Sequence, residues 1–199
     1  MNTISYVFGD NLYLNITNRC AMACPYCIKH KWTNKFNGDN LKLEREPSVK
    51  EVIESIDDPK KYKEVIFCGY GDALIRIWEV KEIAKWIKER GGKVRINTAG
   101  LANAYHAKNI LPELKGLVDV ISVSLNGSNP EEHNKINNPM FKEKSFDEIV
   151  KFASEAKKYM PEVVITAVEF TGFDVSKVKE VADKLGVRFR SRPYLDDEK

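Results

Sequence analysis

Residues 12–27 read Leu12-Tyr-Leu-Asn-Ile-Thr-Asn-Arg-Cys20-Ala-Met-Ala-Cys24-Pro-Tyr-Cys27. Apolar and polar side chains alternate over residues 12–17, which predicts a short strand with one buried face. Three cysteines then fall within eight residues, starting three positions after the strand. A loop of that length can bend its thiolates around one metal centre, so we expect a metal site just beyond the strand.

The spacing of the triplet favours an iron–sulfur cluster held by Cys20, Cys24 and Cys27. A cubane cluster bound by three thiolates keeps one iron open for a small-molecule ligand. Structural zinc sites usually carry paired Cys-x2-Cys motifs and four protein ligands, and no second pair follows here. Two alternatives stay open: a zinc site completed by Cys68 or His30, and cysteines that bind no metal.

The composition fits one domain over residues 1–199, since 43% of the residues are hydrophobic. With 32 basic and 29 acidic residues, the net charge of +3 gives no argument for a nucleic-acid or membrane-surface protein. No apolar run approaches the roughly 18 residues of a membrane span, and residues 1–10 lack a secretory signal pattern. We therefore expect a cytoplasmic protein whose four cysteines are ligands or free thiols rather than disulfides.

Strand-like and helix-like runs alternate along the chain. Helix signals include the capping boxes Ser48-x-x-Glu51 and Ser145-x-x-Glu148 and a last helix that stops at Gly186. A further helix is predicted from apolar residues at helical spacing, Val80, Ile83, Ala84 and Ile87, and a weaker one over residues 103–114, interrupted by Pro112. Strands are predicted at residues 12–17, 65–68, 94–97, 118–125, 163–168 and 187–191. Six alternations predict an α/β fold with a parallel sheet. A closed barrel needs about 250 residues, so we expect a partial, open TIM-type (β/α)6 barrel.

Small and polar residues follow the predicted strands, where parallel sheets place their ligand sites. Gly69 and Gly71 permit close backbone approach and unusual dihedral angles, and the Asp72 carboxylate can accept a hydrogen bond from an ammonium group. An ordinary glycine turn and a solvated sheet face are the alternatives. The other candidate ligand contacts end the third strand or share one face of the fourth: Asn97, Thr98, Ser122, Ser124 and Asn126.

Three arginines, Arg188, Arg190 and Arg192, alternate on the last strand and so share one face. Their guanidinium groups suit the carboxylate or phosphate of a bound molecule, or they protect an edge strand from aggregation. Glu169, after the fifth strand, is a further candidate for the pocket wall.

The triplet resembles the defining motif of the radical S-adenosylmethionine (SAM) superfamily, Cys-x3-Cys-x-aromatic-Cys, with Tyr26 at the aromatic position. Within that superfamily the chain is similar to the small proteins associated with TatD-type nucleases. The matching stretches are collinear: residues 12–20, Leu43-Glu-Arg-Glu-Pro47, Phe67-Cys-Gly-Tyr-Gly71, Asn97-Thr-Ala-Gly-Leu-Ala-Asn103, Pro112-Glu-Leu-Lys-Gly116 and Ser122-Val-Ser-Leu-Asn126.

The resemblance implies a [4Fe–4S] cluster on the three cysteines and an enzyme that cleaves SAM to a 5′-deoxyadenosyl radical for hydrogen abstraction from an unknown substrate. It implies that Tyr26 packs near the adenine and that Gly69-Tyr70-Gly71-Asp72 receives the SAM amino group. Asp72 departs from the family pattern, in which a glutamate is usual, and its carboxylate reaches one methylene less far.

The resemblance also implies partners: an electron donor such as a flavodoxin or ferredoxin, and an association with a TatD-type nuclease. No membrane or nucleic-acid partner is expected. Two other functions stay open. One is an activase-like protein that acts on another protein, and the other is a non-catalytic metal-binding module.

Overall fold

The computed structural model describes residues 3–31, 34–170 and 173–194. The strands are β1 (Ser5–Phe8), β2 (Asn11–Leu14), β3 (Lys35–Phe36), β4 (Asp39–Asn40), β5 (Glu64–Phe67), β6 (Val94–Thr98), β7 (Val120–Ser124), β8 (Glu162–Glu169) and β9 (Arg188–Pro193). The α-helices are α1 (Ile28–Lys31), α2 (Val49–Glu54), α3 (Ile77–Glu89), α4 (Ala102–Tyr105), α5 (Pro130–Asn137), α6 (Ser145–Ala156) and α7 (Val175–Leu185). Short 3₁₀ turns cover Pro59–Lys61, Ala73–Arg76, Leu111–Leu114 and Lys142–Lys144.

A seven-stranded sheet in the order β1-β2-β5-β6-β7-β8-β9 forms the centre of the molecule. From β2 to β9 every neighbouring pair is parallel, and β1 is an antiparallel strand added outside β2. Chain order and spatial order therefore agree for the six parallel strands. Among the described residues β1 and β9 do not pair with each other, so the predicted α/β fold, an open partial (β/α)6 barrel, is confirmed.

The outer face of the sheet packs against the helices and forms the main apolar core. Phe67, Ile96 and Val123 project to this side from β5, β6 and β7, and all three are fully buried. Helix α3 covers them with the stripe predicted from its 3.6-residue spacing, which includes Val80 and Ile83. Each fully buried aliphatic side chain of this kind stabilises the fold by about 1.5–3 kcal/mol.

The opposite face of the sheet, the lumen face, is polar. Side chains alternate along each strand, so the neighbours of those core residues point inward: Cys68 after β5, Asn97 on β6, and Ser122 and Ser124 on β7. Because the parallel strands end at one edge of the sheet, these groups converge there.

Two predicted helix boundaries are wrong. The helix predicted over residues 103–114, with an interruption at Pro112, breaks earlier: α4 ends at Tyr105, Ala107 adopts a left-handed φ of 52°, and Pro112 is the second residue of a separate 3₁₀ turn. Ser145 is not a cap, since the 3₁₀ turn Lys142–Lys144 runs directly into α6 and places Ser145 inside the helix.

Other helix signals are confirmed. Ser48 and Glu51 form the predicted capping box before α2. Gly186 ends α7 with a left-handed φ of 62°, a conformation that glycine adopts without a steric penalty.

Candidate functional site

A cavity of about 220 Å³ lies at the carboxyl ends of the parallel strands, between the sheet and the cysteine loop. Apart from Ser122, which does not line it, the structure brings the predicted cofactor and metal residues to its wall. These residues are Cys20, Cys24, Tyr26, Cys27, Gly69, Tyr70, Gly71, Asp72, Asn97, Thr98, Ser124 and Asn126. Residues between 20 and 126 thus supply one site from the loop after β2 and from the ends of the next three parallel strands, β5, β6 and β7.

The cysteine loop presents three free, half-buried thiols to this cavity. A tight turn, in which the Cys27 N–H donates to the Cys24 carbonyl over 3.0 Å, gathers the loop. Burial raises the pKa of Cys20 to about 12 and that of Cys24 to about 11. Both thiols are therefore protonated at neutral pH without a metal, and a metal centre must displace their protons.

A fourth cysteine, Cys68, also lines the cavity. It is free and half-buried. Among the described residues, no group of three or more His, Cys, Asp or Glu side chains is arranged to hold a single metal ion. His30, the other candidate for a zinc ligand, is exposed.

Asn137, at the end of α5, fixes the loop from the far side of the cavity. Its Oδ1 accepts a hydrogen bond from the Tyr26 hydroxyl (2.5 Å) and one from the Cys24 thiol (3.6 Å). Its Nδ2 donates to the carbonyls of Asn126 (2.5 Å) and His133 (2.8 Å). The Asn126 amide in turn donates to the Tyr26 hydroxyl over 2.7 Å. Tyr26 and Asn126, which were predicted as site residues, thereby form one hydrogen-bonded network with Asn137, which was not predicted.

The backbone after α5 supports the same loop. The Met140 N–H donates to the Ala21 carbonyl over 2.9 Å, and Met22 forms an isolated antiparallel bridge with Pro139. Asn138 reaches this position in a left-handed conformation with φ 42°. Sequence reasoning missed α5 and Asn137 because the helix has no apolar stripe to signal it: within Pro130–Asn137 the buried residues are His133 and Asn137.

Asp72 is buried, and its carboxylate is held by groups of the protein. Oδ2 accepts from the Thr98 hydroxyl and the Ala99 N–H, both at 2.8 Å, and Oδ1 accepts from the Leu74 N–H at 3.1 Å. Burial raises the pKa of this carboxyl, and the three hydrogen bonds oppose that shift. The side chain therefore caps the Ala73–Arg76 turn and ties the end of β5 to the end of β6.

The two glycines of this turn serve packing within the protein. Neither Gly69 nor Gly71 has a positive φ, so the expectation of unusual dihedral angles is wrong. A Cβ at Gly69 would collide with the Asn15 side chain, and one at Gly71 would collide with the Arg19 carbonyl. The turn is pressed against the segment that leads into the cysteines, and the Tyr70 N–H donates to Asn15 Oδ1 over 2.9 Å.

Two polar atoms on the lumen face of β6 and β7 have no hydrogen-bond partner among the described residues. Asn97 Oδ1 and Ser122 Oγ are buried and make no hydrogen bond within the described part of the chain. Ser124 Oγ accepts from Arg192 over 3.0 Å, which brings β9 to the same cavity. Glu169, in contrast, is exposed and accepts a hydrogen bond from the Ser191 hydroxyl.

Comparison with known proteins identifies the family. The model of the radical SAM superfamily matches residues 14–185, a range that contains the cysteine loop and the strands β5 to β8. The chain belongs to the radical SAM superfamily. Members of this superfamily are generally enzymes that use a [4Fe–4S] cluster, SAM and an electron donor.

A curated relative from Pyrococcus furiosus, the cofactor-modifying protein of a tungsten-containing aldehyde ferredoxin oxidoreductase, is 27% identical over 92 residues. That match covers 45% of this chain and 23% of the relative. This radical SAM chain thus aligns with about a quarter of the relative's length.

Solved structures of radical SAM proteins share the fold. Streptococcus suis SuiB bound to S-adenosylmethionine has a TM-score of 0.67 at 15% identity, over 96% of this chain and 42% of SuiB. TYW1 with a lysine-pyruvate adduct has a TM-score of 0.67 at 13% identity, over 94% of this chain and 65% of TYW1.

No helix in the described ranges is long and apolar enough to cross a bilayer.

The residues of the cavity fit the two groups that the superfamily implies. Three thiols on one loop are the donor set of an iron–sulfur cluster with one open iron. Beside them, the buried Asn97 Oδ1 is a hydrogen-bond acceptor without a partner in the described residues, which suits a polar ligand.

Proposed function

We propose that this chain is a radical SAM enzyme in which Cys20, Cys24 and Cys27 hold a [4Fe–4S] cluster and the adjoining cavity binds SAM. The observation that supports this most strongly is the convergence of twelve candidate residues on one cavity wall. They come from the loop after β2 and from the ends of β5, β6 and β7. These segments are far apart in the sequence and meet only because the chain folds.

When bound, the cluster and SAM supply one-electron cleavage of SAM and hydrogen-atom abstraction from a substrate. The protein supplies binding and orientation. In this proposal Tyr26, fixed by Asn126 and Asn137, packs beside the adenine. Ser124 and Asn97 offer hydroxyl and amide groups to the carboxylate or ribose.

In this proposal Asp72 positions the strand ends and does not bind the SAM amino group. Its carboxylate already accepts three hydrogen bonds, so we assign it the positioning of the strand ends. The SAM amino group then meets the main-chain carbonyls of the Gly69–Gly71 turn, which lines the cavity.

The deciding experiment is electron paramagnetic resonance on protein purified without oxygen, reconstituted with iron and sulfide, and reduced. We expect a [4Fe–4S] signal that changes when SAM is added, together with release of 5′-deoxyadenosine. A cluster signal that is indifferent to SAM would contradict the SAM site. Stoichiometric zinc in place of iron would contradict the cluster.

A non-catalytic metal-binding module is the second candidate. Asp72 favours it, because a carboxylate that is saturated by the protein is not free for a SAM amino group. This candidate predicts a cluster signal that SAM does not change, so the same experiment separates it from the enzyme.

Finer assignments belong to the proposal as well. The seven-stranded sheet at the centre of the molecule supports one domain over residues 1–199, and four unpaired cysteines support a reducing, cytoplasmic location. A flavodoxin or ferredoxin is the proposed electron donor. The likeness to the TatD-associated proteins, and with it a nuclease partner, rests on the sequence stretches alone. An activase-like action on another protein stays an alternative for the substrate.

A further inference from the structure

A second, larger cavity of about 510 Å³ adjoins the first and shares Tyr26, Cys27 and Arg192 with it. It lies beside β9, at the open edge of the barrel. Its remaining wall combines apolar groups, among them Phe8 from β1 and Val168 from β8, with Arg190. A molecule in this space would lie directly against the cysteine loop.

Among the described residues, no carboxylate pairs with either of the two guanidinium groups of this cavity. Arg190 and Arg192 stand two residues apart on β9, so both face the lumen. Both Nε atoms are buried without a hydrogen-bond partner in the described residues. Arg192 donates only to the neutral Ser124 hydroxyl among described groups, and Arg190 makes no hydrogen bond or ion pair with any described residue.

The neighbouring charges do not compensate for these cations. The buried carboxylate of Glu64, at the start of β5, already pairs with Lys93 at 3.0 Å and Arg95 at 2.9 Å, and that of Asp72 accepts three hydrogen bonds. Burial lowers the pKa of Arg190, and the adjacent Arg95 and Arg192 lower it further. The wall of the second cavity therefore carries an excess of positive charge, which an anion would relieve.

Arg188 shows the contrast on the same strand. It is exposed, and its guanidinium pairs with Glu162 at 2.8 Å. The first of the three alternating arginines is thus satisfied by the protein, whereas the two nearer the cysteines are not.

We propose that Arg190 and Arg192 bind the oxyanion group, a carboxylate or a phosphate, of a small organic substrate in the second cavity. This inference rests on the proposed function in that it names the substrate class for the same enzyme. Guanidinium forks match the geometry of both oxyanions and bind them by charge-assisted hydrogen bonds. The apolar wall then faces the rest of the molecule, beside the cluster loop.

Calorimetric titration of the reconstituted full chain with inorganic phosphate and, separately, with malonate tests the site. Ionic strength is held constant with chloride, because screening alone would weaken a surface charge. We expect saturable one-to-one binding of at least one probe. The better probe then distinguishes a phosphate-bearing from a carboxylate-bearing substrate.

The variants R190Q and R188Q form a matched pair on one strand. We expect R190Q to weaken binding of the probe about tenfold, equivalent to about 1.4 kcal/mol, and R188Q to leave it within about twofold. R190K should recover part of the affinity, since it restores the charge without the fork. Circular dichroism shows whether each variant is folded. Absence of saturable binding, or equal losses in R190Q and R188Q, would overturn the assignment.

SAM also carries a carboxylate, so its affinity is measured in the same variants. We expect R190Q to leave SAM binding within about twofold. A tenfold loss of SAM affinity in R190Q would assign the guanidinium to SAM and overturn the substrate site. Because the probes need no response of the cluster to SAM, a failure of the SAM site and a failure of the anion site give different results.

Discussion

The two sides of the lumen differ in how their polar groups are satisfied. On the side of the cysteine loop, Tyr26, Asn126 and Asn137 bond to one another, and Asp72 accepts three hydrogen bonds. On the side of β9, Arg190 has no partner among the described residues. Both sides are lined by polar side chains, yet within the described residues Tyr26, Asn126, Asn137 and Asp72 have partners whereas Arg190 has none.

This difference distinguishes polar groups that stabilise the fold from polar groups that are available to bind a ligand. A closed network of buried hydrogen bonds fixes positions, and removal of one member leaves the others unsatisfied at a cost of about 1–3 kcal/mol. A buried group without a partner contributes no such bond to folding. We therefore expect variants on the cysteine side to change stability, and variants on the unpaired side to change binding.

The largest effect is expected from Cys24→Ala. Loss of one of three thiolates removes a ligand that the protein does not replace nearby, so cluster iron should fall to background after reconstitution. Cys68→Ala, in the same cavity wall, should retain the cluster. Iron and sulfide analysis with the visible absorption spectrum measures both. Retention of iron by Cys24→Ala and its loss in Cys68→Ala would show that the ligand set is wrong.

Asp72→Asn should destabilise the cluster-free protein by about 2 kcal/mol. Each carboxylate oxygen accepts from a backbone N–H, of Leu74 or of Ala99, so either orientation of the amide sets its NH₂ against a donor. Urea unfolding measures the change. The control Asp183→Asn removes only an exposed pair with Lys179 and should cost less than about 1 kcal/mol. Equal stability of the two variants would refute the framework role of Asp72.

Tyr26→Phe should cost about 1 kcal/mol, because Asn137 Oδ1 loses a donor and Asn126 Nδ2 loses an acceptor. Tyr159→Phe provides the control, since the Tyr159 hydroxyl makes no hydrogen bond with described residues. The same urea titration compares them. If Tyr26→Phe is as stable as the wild type, the network does not fix the loop.

The smallest effect is expected at a buried polar group of β7 that has no partner among the described residues. Ser122→Ala removes a buried hydroxyl that has no partner in the described residues, so stability should stay within about 0.5 kcal/mol or rise. Ser55→Ala, which loses a hydrogen bond of 2.7 Å to the Val52 carbonyl, should cost about 1 kcal/mol. If urea unfolding shows a larger loss of stability in Ser122→Ala than in Ser55→Ala, then buried groups with and without partners do not differ in the way proposed.

Local patterns predicted most of the framework. The cysteine spacing, the capping box at Ser48 and the stripe of α3 each depend on residues a few positions apart. Strand β1 was not predicted. It is an edge strand whose Val7 and Phe8 are exposed, so burial imposes no alternation on it. The sequence around Ser145 matches a capping box, but Ser145 is not the cap, because the preceding 3₁₀ turn already has a helical backbone that leads into α6.

Partnerships across the sheet could not be predicted. The period of two placed Arg188, Arg190 and Arg192 on one face, but the pairing of Arg188 with Glu162 depends on the position of a residue 26 places earlier in the chain. Likewise, the saturation of Asp72 depends on the register between β5 and β6. A sequence indicates which side chains converge, whereas tertiary geometry decides which of them remain available.

The clamp from Asn137 to the cysteine loop sets an order of events during synthesis. Cys24 and Asn137 are 113 residues apart, so the loop of chain between them must close before the contact forms. When the three cysteines leave the ribosome, their support has not yet been translated. A nascent chain should therefore bind its metal weakly until residue 140 has emerged, and cluster loading becomes a late step of biogenesis.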